Sequence, residues 1–372
     1  MAELGLSTNR VTAWDGLRGV ACILVLGFHC GLVPGGAVGV DVFFVLSGFL
    51  ITRVLLHELS HDGSVSLSRF YFRRACRLLP ALSVLLAVAL FASRFIAPAH
   101  LLGPLGRTAT AWVLLFSANW AAVTTGHSLG VLQPTWSLAV EEQFYLLWAP
   151  LFALYAASLL RRRTLTQIVV GLAVASLGWR VLLWLPSAGV YAESRAFYRE
   201  YVAADTRAYA LLLGAGWALN ARATQLAWVR QQAQWLAAGA TLTLLAVGCV
   251  YDFHRETGVG LLAPVCAILL VQAGSDETGW VAQLLSLRPL VWLGRISYSL
   301  YLWHVAAFAI VAPDSAIDPY HHPPSVLELG GMLGLALGLG YLSYRFVELP
   351  ALAMRARWER RSSGAAQPAA AK

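Results

Sequence analysis

The sequence predicts an all-α fold, a polytopic integral membrane bundle of about ten transmembrane helices. Of its 372 residues, 58% are hydrophobic and only 12% are charged, whereas about a quarter of an ordinary soluble domain is charged. The mean hydropathy is +0.64, and the 14 Trp and 13 Tyr are typical of a protein that meets two membrane–water interfaces. This composition excludes a water-exposed globular enzyme and a disordered protein.

The charge balance is basic, with a formal net charge of +8. Nearly all of the positive charge is arginine, since the only lysine is Lys372. In a chain this apolar we interpret the arginines as marks of cytoplasmic loops beside anionic lipid, and we expect no nucleic-acid partner. The five cysteines lack a CxxC spacing, so they indicate neither a metal site nor a disulfide framework.

Eleven apolar runs follow one another along the chain, and each is a candidate membrane segment of roughly 20 residues. They lie near residues 17–34, 38–57, 78–97, 107–123, 137–160, 166–185, 206–220, 235–251, 257–274, 296–312 and 326–347.

Arginine clusters predict which ends of these runs face the cytoplasm. Between Arg77 and Arg161 there are three apolar runs, yet both ends carry clusters that should lie inside. An odd number of crossings cannot return the chain to the same side. One run must therefore be re-entrant, and the Gly- and Pro-containing stretch 98–136 is the expected place for the break. The count becomes ten crossings, with both termini cytoplasmic.

The same reasoning divides the chain into an integral membrane domain, 1–353, and a basic, disordered cytoplasmic tail, 354–372. We expect residues 186–205 and the Pro-rich stretch 313–325 to be external loops. We expect the protein to lie in the cell membrane of a bacterium, which is the inner membrane in a species that has two membranes.

The first segment, WDGLRGVACILVLGFHC, carries Arg18 and His29. Eleven residues return a helix to within about 20° of the same face, with a rise of about 16 Å. One face therefore presents a cation near the cytoplasmic edge and an imidazole deeper in the membrane, where an ionisable group is by default functional. A neutral packing histidine is the alternative.

The second segment, GVDVFFVLSGFLI, carries Asp41 near its outer end and Ser47 and Gly48 further along. Small residues such as these allow helices to approach closely, and packing is the favoured interpretation of both. Asp41 either contacts a substrate or lies at the interface.

The segment FYFRRACRLLP places Arg73, Arg74 and Arg77 at the cytoplasmic start of the next helix. Each alone is explained as a positive-inside anchor. Together they also suit the phosphates of a nucleotide-like donor, because guanidinium groups bind phosphate through paired, charge-assisted hydrogen bonds.

The run QPTWSLAVEEQFYLLWAP places two adjacent carboxylates, Glu141 and Glu142, inside an apolar helix that enters from outside. A carboxylate within reach of His29 would fix its tautomer and stabilise its protonated form. Adjacent residues project about 100° apart, so we expect one of the two to face the cavity. Capping of a helix start is the alternative, and it explains one glutamate better than two.

Near the carboxyl end, LGRISYSLYLWHV places Tyr298, Tyr301 and His304 on one helical stripe, since each is three residues from the next. Aromatic packing and substrate binding both fit this stripe. The last apolar run ends SYRFVELP, where Arg345 and Glu348 are expected to pair locally.

Six segments, in this order, resemble the acyltransferase family 3 membrane proteins across about residues 12–352. They are WDGLRGVACILVLGFHC, GVDVFFVLSGFLIT, FYFRRACRLLP, TWSLAVEEQFYLLW, ISYSLYLWH and SYRFVELP. The resemblance implies O-acylation of a sugar or another hydroxyl compound by an acyl-CoA, with acetyl-CoA the expected donor and no tightly bound cofactor. It implies an acceptor among surface glycans or glycosylated natural products such as macrolides.

The resemblance also assigns roles to residues. It maps the essential arginine and histidine of the family to Arg18 and His29, and its acidic position to Glu141. Its arginine-rich segment corresponds to the cluster that begins at Arg73. Many members that modify surface glycans continue into an SGNH-type hydrolase domain, and this sequence ends after its basic tail, so it resembles the standalone members.

These observations lead to a mechanistic expectation. Acyl-CoA binds from the cytoplasm near the arginine cluster, and His29, oriented by Glu141, takes the proton from the acceptor hydroxyl as it attacks the thioester. An acyl-histidine intermediate is a second possibility. Glu142, Asp41, Tyr301 and His304 complete the expected substrate-binding set. The main rival is a transporter or flippase in which the buried ionisable groups form a substrate or proton path. A structural or sensory protein would need none of them.

Overall fold

The computed structural model describes residues 11–95, 106–184, 195–220, 227–250, 262–276 and 279–364. Within these ranges the chain forms helices and no strands, so the prediction of an all-α fold is confirmed. The helices are α1 Thr12–His29, α2 Val38–Asp62, α3 Leu67–Phe95, α4 Thr108–Leu114, α5 Ala118–Thr125, α6 Thr135–Ala156, α7 Arg162–Trp184, α8 Arg195–Tyr201, α9 Ala204–Asn220, α10 Ala227–Val250, α11 Leu262–Gly274, α12 Trp280–Leu285, α13 Arg288–Val311, α14 Pro313–Ile317, α15 Val326–Ser343 and α16 Leu349–Gly364. A π-helical turn, Tyr344–Glu348, joins the last two.

Several helices suit a bilayer. By length and apolar composition, four helical stretches of the described chain are able to cross it, namely α2, α3, α7 and the joined stretch Val326–Glu359. The protein is therefore a multi-pass membrane protein.

Consecutive long helices run in opposite directions. The Trp14 ring near the start of α1 packs against the Phe49 ring, well along α2, with centroids 5.2 Å apart. The Tyr71 hydroxyl near the start of α3 donates to the Leu146 carbonyl in the second half of α6. The pairs α7–α9, α10–α11 and α13–α15 are antiparallel in the same way. This alternation agrees with ten crossings, which stay a prediction.

The apolar run near 107–123 is broken. It forms α4 of 7 residues and α5 of 8 residues, each only about 10–12 Å long against a hydrocarbon core of about 30 Å. Neither spans a bilayer, and the break lies in the region where the parity of the arginine clusters requires one. Phe116 lies between them with a left-handed φ of 49°. The Gln143 side chain of α6 donates to the Phe116 carbonyl at 2.7 Å and to Asn119 at 2.9 Å.

Two glycine contacts set the helices around the site. Gly294 of α13 lies against the backbone of Asp15 in α1, and a Cβ there would overlap the Asp15 carbonyl. Gly48 of α2 lies in the same way against the Leu211 carbonyl of α9. Gly48 therefore permits the close helix approach predicted for it. The first contact holds α1 and α13 parallel, so that residues along both helices meet at several levels.

The predicted loops and tail differ in detail from the expectation. The stretch 313–325 contains α14, and Ser325 starts α15 with a capping box to Glu328. Part of the stretch 186–205 forms α8, and residues 185–194 lie outside the described residues. Of the predicted tail, 354–364 continues α16 as helix, while 365–372 lies outside the described residues.

Candidate active site

Most of the predicted site residues lie along one polar column between α1, α2, α3, α6 and α13. We call the end of the bundle at which α1 ends the upper end, and the end at which α3 and α13 begin the lower end. Because α1, α3 and α13 rise through the bundle while α2 and α6 descend, residues distant in sequence meet in successive levels.

The upper level contains two histidines. His29 is the last residue of α1 and is partly exposed, whereas His304 of α13 is fully buried. Their ring centroids are 4.9 Å apart, with the planes inclined by 58°. Phe28 and Phe308 pack edge-on against the two imidazoles. The structure therefore brings together two predicted residues that are 275 positions apart.

The His304 ring is held by its own helix. Its Nδ1 atom lies 2.7 Å from the Tyr301 carbonyl oxygen, and its Nε2 atom has no hydrogen-bond partner among the described residues. The Tyr301 hydroxyl lies one turn lower and is 2.8 Å from the Ser137 hydroxyl of α6. Two members of the stripe predicted on α13, His304 and Tyr301, thus lie at successive levels of the column.

Glu141 occupies the next level down. The Ser47 hydroxyl of α2 donates to its carboxylate at 2.8 Å, and the Tyr145 hydroxyl donates at 3.4 Å. These bonds give Ser47 a polar role, where the sequence favoured packing alone. Both hydroxyl groups offset part of the cost of placing a carboxylate inside the bundle.

The expected direct contact between Glu141 and His29 is absent: within the described residues, neither a hydrogen bond nor an ion pair joins them. The helical rise explains this. Glu141 lies four residues below Ser137, and His304 lies three residues above Tyr301, which together place the two levels about 10 Å apart along the bundle. The group beside the His29 ring is therefore His304, and no carboxylate takes that place.

Arg18 projects from α1 below the histidines. Its guanidinium interacts electrostatically with Glu141 from α6 and with Arg77 from α3. Within the part of the chain that the structure describes, it makes no hydrogen bond or ion pair. Arg18 is thus a cation in the column whose N–H donors stay available.

The predicted arginine cluster lies toward the lower end, and each member has a carboxylate partner. Arg74 is 3.4 Å from Glu142, and its guanidinium stacks 4.0 Å from the centroid of the Tyr145 ring. Arg73 bonds to Glu359 of α16 at 2.7 Å. Ion pairs of α3 with α6 and α16 therefore tie the lower ends of these helices together.

Arg77 completes the cluster. It donates to Glu348 at 2.8 Å, and the Ser299 hydroxyl of α13 donates to the other oxygen of that carboxylate at 3.0 Å. The expected local pair between Arg345 and Glu348 is wrong, because the π-helical turn directs the glutamate inward, where it is 1% exposed. Arg345 instead lies over the Phe346 ring.

Asp41 belongs to a separate buried cluster. It is 3% exposed and lies 2.9 Å from Arg207 of α9, which is fully buried. Beside this pair, Arg180 of α7 bonds to Glu200 at 2.7 Å and to the Tyr209 hydroxyl at 2.6 Å. Two cations and two anions balance within the cluster, so the structure gives Asp41 protein partners in the interior.

Arg180 and Arg207 are not among the site residues predicted from the sequence. Both were available as signals, since each is an arginine in or beside an apolar run, and an ionisable residue at such a position is functional or paired by default. Arg207 is also surrounded by aromatic faces, with the rings of Phe44, Trp136 and Tyr201 within 6 Å of its guanidinium carbon.

The chain was compared with known proteins. A family model described as an acyltransferase domain matches residues 11–345. The peptidoglycan O-acetyltransferase OatA of Listeria monocytogenes is 31% identical over 361 residues, which covers 92% of this chain and 56% of the relative. The Bacillus subtilis protein YrhL, provisionally named a peptidoglycan O-acetyltransferase, is 30% identical over 362 residues, with 90% and 54% covered.

The chain spans about half the length of these curated relatives. No solved structure matches it significantly. The family match covers α1 through α15 and so includes the five helices that form the polar column. The chain therefore belongs to acyltransferase family 3.

Proposed function

We propose that this protein is an integral membrane O-acyltransferase that moves an acetyl group from acetyl-CoA to a hydroxyl of a glycan. The proposal is carried by one observation: a continuous polar column leads from an arginine cluster at one end of the bundle to a histidine pair near the other. The phosphates of an acyl-CoA donor suit the arginine cluster, and its thioester suits the histidine pair. Family membership indicates that the reaction is an acyl transfer.

The lower end suits the donor. Arg73, Arg74 and Arg77 carry guanidinium groups whose fork of N–H donors matches phosphate. Their present carboxylate partners Glu359, Glu142 and Glu348 occupy the same N–H groups. Donor phosphates therefore bind by exchanging places with carboxylates or by using the N–H groups that the single contacts leave free.

Arg18 lies between the donor end and the histidines. Its uncommitted N–H groups offer hydrogen bonds to the carbonyl oxygens of the pantetheine arm as that arm extends up the column. Glu141 contributes negative charge beside Arg18 and Arg74, together with Asp15 and Glu142. We thus assign Glu141 to charge balance along the donor path. The ring beside His29 is that of His304.

Chemistry takes place at His29, which is partly exposed. Its imidazole takes the proton of the acceptor hydroxyl while the oxygen attacks the thioester carbon, and the CoA thiolate leaves. Base assistance of this kind contributes about 10²–10⁴-fold, and the alignment of the two substrates contributes a further part. A thioester already has a good leaving group, so direct transfer suffices.

The acceptor class follows from the relatives, whose names specify peptidoglycan. We propose a hydroxyl-bearing surface glycan as acceptor, with a glycosylated natural product as the alternative. The arginine clusters of α3 and α16 pair with Glu359 and lie together at the lower end. This supports a cytoplasmic lower end, cytoplasmic termini and a location in the bacterial cell membrane.

The test uses purified protein in detergent with [1-¹⁴C]acetyl-CoA and chitotetraose or solubilised peptidoglycan fragments. We expect acceptor-dependent transfer of label, reduced at least about 10²-fold in His29→Ala. His57→Ala, at an exposed position on α2, is the matched control and should keep full activity. Transfer undiminished in His29→Ala would sink the assignment of the base, and a transporter would consume no acetyl-CoA at all.

The donor site is tested separately. Arg73→Ala with Arg74→Ala should raise the KM for acetyl-CoA by about tenfold or more, since each lost charge-assisted bond contributes about 1.5–3 kcal/mol. The KM for the glycan should stay unchanged. Arg69→Ala, at an exposed position one turn earlier, controls for the loss of surface charge. Unaltered donor kinetics in the double variant would remove the cluster from the donor site.

A further inference from the structure

The histidine pair at the upper level contains a base that the mechanism above does not use. His304 is fully buried, and its Nε2 atom has no hydrogen-bond partner among the described residues. A buried polar nitrogen without a partner is costly and is rare in folded proteins. Its position beside His29, at a ring separation of 4.9 Å, points to a partner that is engaged during the reaction.

The tautomer of His304 is fixed by its contact with the backbone. A carbonyl oxygen is only an acceptor, so the Nδ1 atom that lies 2.7 Å from the Tyr301 carbonyl must carry the proton. In the neutral imidazole the Nε2 atom then holds the lone pair. His304 thus carries a buried proton acceptor that no group of the described residues engages, in the arrangement that metal- and carboxylate-bound histidines use to fix their second nitrogen.

Burial separates the roles of the two rings. His29 is partly exposed, while the Nε2 atom of His304 is buried. A substrate therefore reaches His29 first, and only a proton passes on to His304. In many hydrolases the group behind the catalytic histidine is a carboxylate. Here Glu141 is about 10 Å lower in the column, so an imidazole takes that place.

We propose that His29 and His304 form a two-imidazole proton relay, in which His304 is the positioning residue that receives the second N–H of His29. This rests on the proposed acyl transfer. As the acceptor oxygen forms its bond to the thioester carbon, its proton moves to one nitrogen of His29. The N–H on the other nitrogen moves to, or is shared with, Nε2 of His304.

The cycle closes without a further reactant. The C–S bond of the thioester breaks, and His29 gives a proton to the CoA thiolate. His304 returns a proton to the other nitrogen of His29, which leaves both rings neutral. A small rotation about χ2 of His29, a soft torsion for an aromatic ring, brings its second nitrogen to Nε2 of His304. The products are the acylated acceptor and free CoA thiol, so atoms and charges balance.

The kinetic test uses His304→Gln, whose amide is able to bond to the Tyr301 carbonyl but accepts no proton. With [1-¹⁴C]acetyl-CoA and chitotetraose we expect kcat to fall about tenfold or more, a share of the full base contribution. The KM for acetyl-CoA should change less than about twofold, because the donor does not touch His304. A kcat within about twofold of wild type would overturn the relay.

Chemical rescue distinguishes a relay from simple packing. His304→Ala leaves a cavity of imidazole size, and millimolar imidazole should restore kcat in a saturable way. Phe308→Ala is the matched control, because its ring is equally buried against His304 but carries no nitrogen. Imidazole should not restore it. Equal rescue of both variants, or of neither, would overturn the proposal.

A measurement without turnover keeps this inference distinguishable from the proposed function. In ¹⁵N-histidine-labelled wild-type protein, solid-state NMR should show His304 with Nδ1 protonated and Nε2 unprotonated, assigned by difference from His304→Gln. The opposite tautomer would overturn the relay whatever the activity. Wild-type protein that shows the expected tautomer but transfers no acetyl group would refute the proposed function and leave the histidine geometry standing.

Discussion

Removing the carboxylate of Asp41 should destabilise the fold, and removing its partner as well should restore most of the loss. The buried pair consists of Asp41, 3% exposed, and Arg207, fully buried, with 2.9 Å between the oxygen and the nitrogen. Breaking a buried ion pair on one side leaves an uncompensated charge and costs about 3–5 kcal/mol. Replacing both members by apolar residues of similar volume is often close to neutral.

The groups around Arg207 determine how much stability the protein loses when Asp41 is replaced. In Asp41→Leu, the Arg207 guanidinium keeps three aromatic faces within 6 Å, and cation–π contacts of about 0.5–2 kcal/mol offset part of the lost attraction. Arg180 nearby adds repulsion once the negative charge is gone. We therefore expect a loss of about 3 kcal/mol for Asp41→Leu, and about 0–1 kcal/mol for Asp41→Leu with Arg207→Met.

The assay is reversible unfolding in dodecylmaltoside–SDS mixed micelles, followed by circular dichroism, for wild type, both single variants and the double variant. The cycle isolates the pairwise energy, which should be at least about 2 kcal/mol. Additive losses, with the double variant as unstable as the sum of the singles, would show that Asp41 and Arg207 are not coupled. That result would refute the account of the cluster as a mutually compensated set.

Three further outcomes follow from the contacts. Gly48→Val should cost about 1–3 kcal/mol by overpacking, because the new side chain meets the α9 backbone; unfolding in mixed micelles measures this, and a neutral effect would contradict the close contact. Glu142→Gln should lower the KM for acetyl-CoA severalfold, since it removes the carboxylate that competes for Arg74, and a raised KM would show instead that the pair positions the arginine. In a variant without its five native cysteines, His127→Cys should react with a membrane-impermeant maleimide from outside and Arg163→Cys only after the cells are opened; the reverse pattern would invert the topology.

The fold was predictable because burial in a bilayer imposes a simple rule on composition. Runs of about 20 apolar residues must be helical, since lipid offers no partner for backbone N–H and C=O groups. The broken run was also predictable, from the charges at Arg77 and Arg161 together with the parity of crossings. Its position within the run was not, because Leu115–Ser117 contains neither glycine nor proline.

The site was predictable residue by residue but not contact by contact. Ionisable side chains in apolar runs marked His29, Glu141 and the arginine cluster. Which of them meet depends on the vertical register of helices far apart in sequence, and helical periodicity within one segment carries no information on that register. His29 consequently meets His304, and Glu141 meets Ser47. Asp41 likewise needed the structure, since Arg207 follows it by 166 residues.

The break between α4 and α5 has a consequence for how the protein is made. The bend at Phe116 is closed by its own turn, in which the Ser117 N–H and hydroxyl donate to the Trp112 carbonyl, and Gln143 ties it to α6. During synthesis residues 106–125 emerge from the ribosome ahead of Gln143, so the bend is able to form before its contact with α6 is available. The arrival of α6 then supplies the amide that ties the bend to the rest of the bundle. The order of synthesis therefore lets the broken segment form first and pack against α6 afterwards.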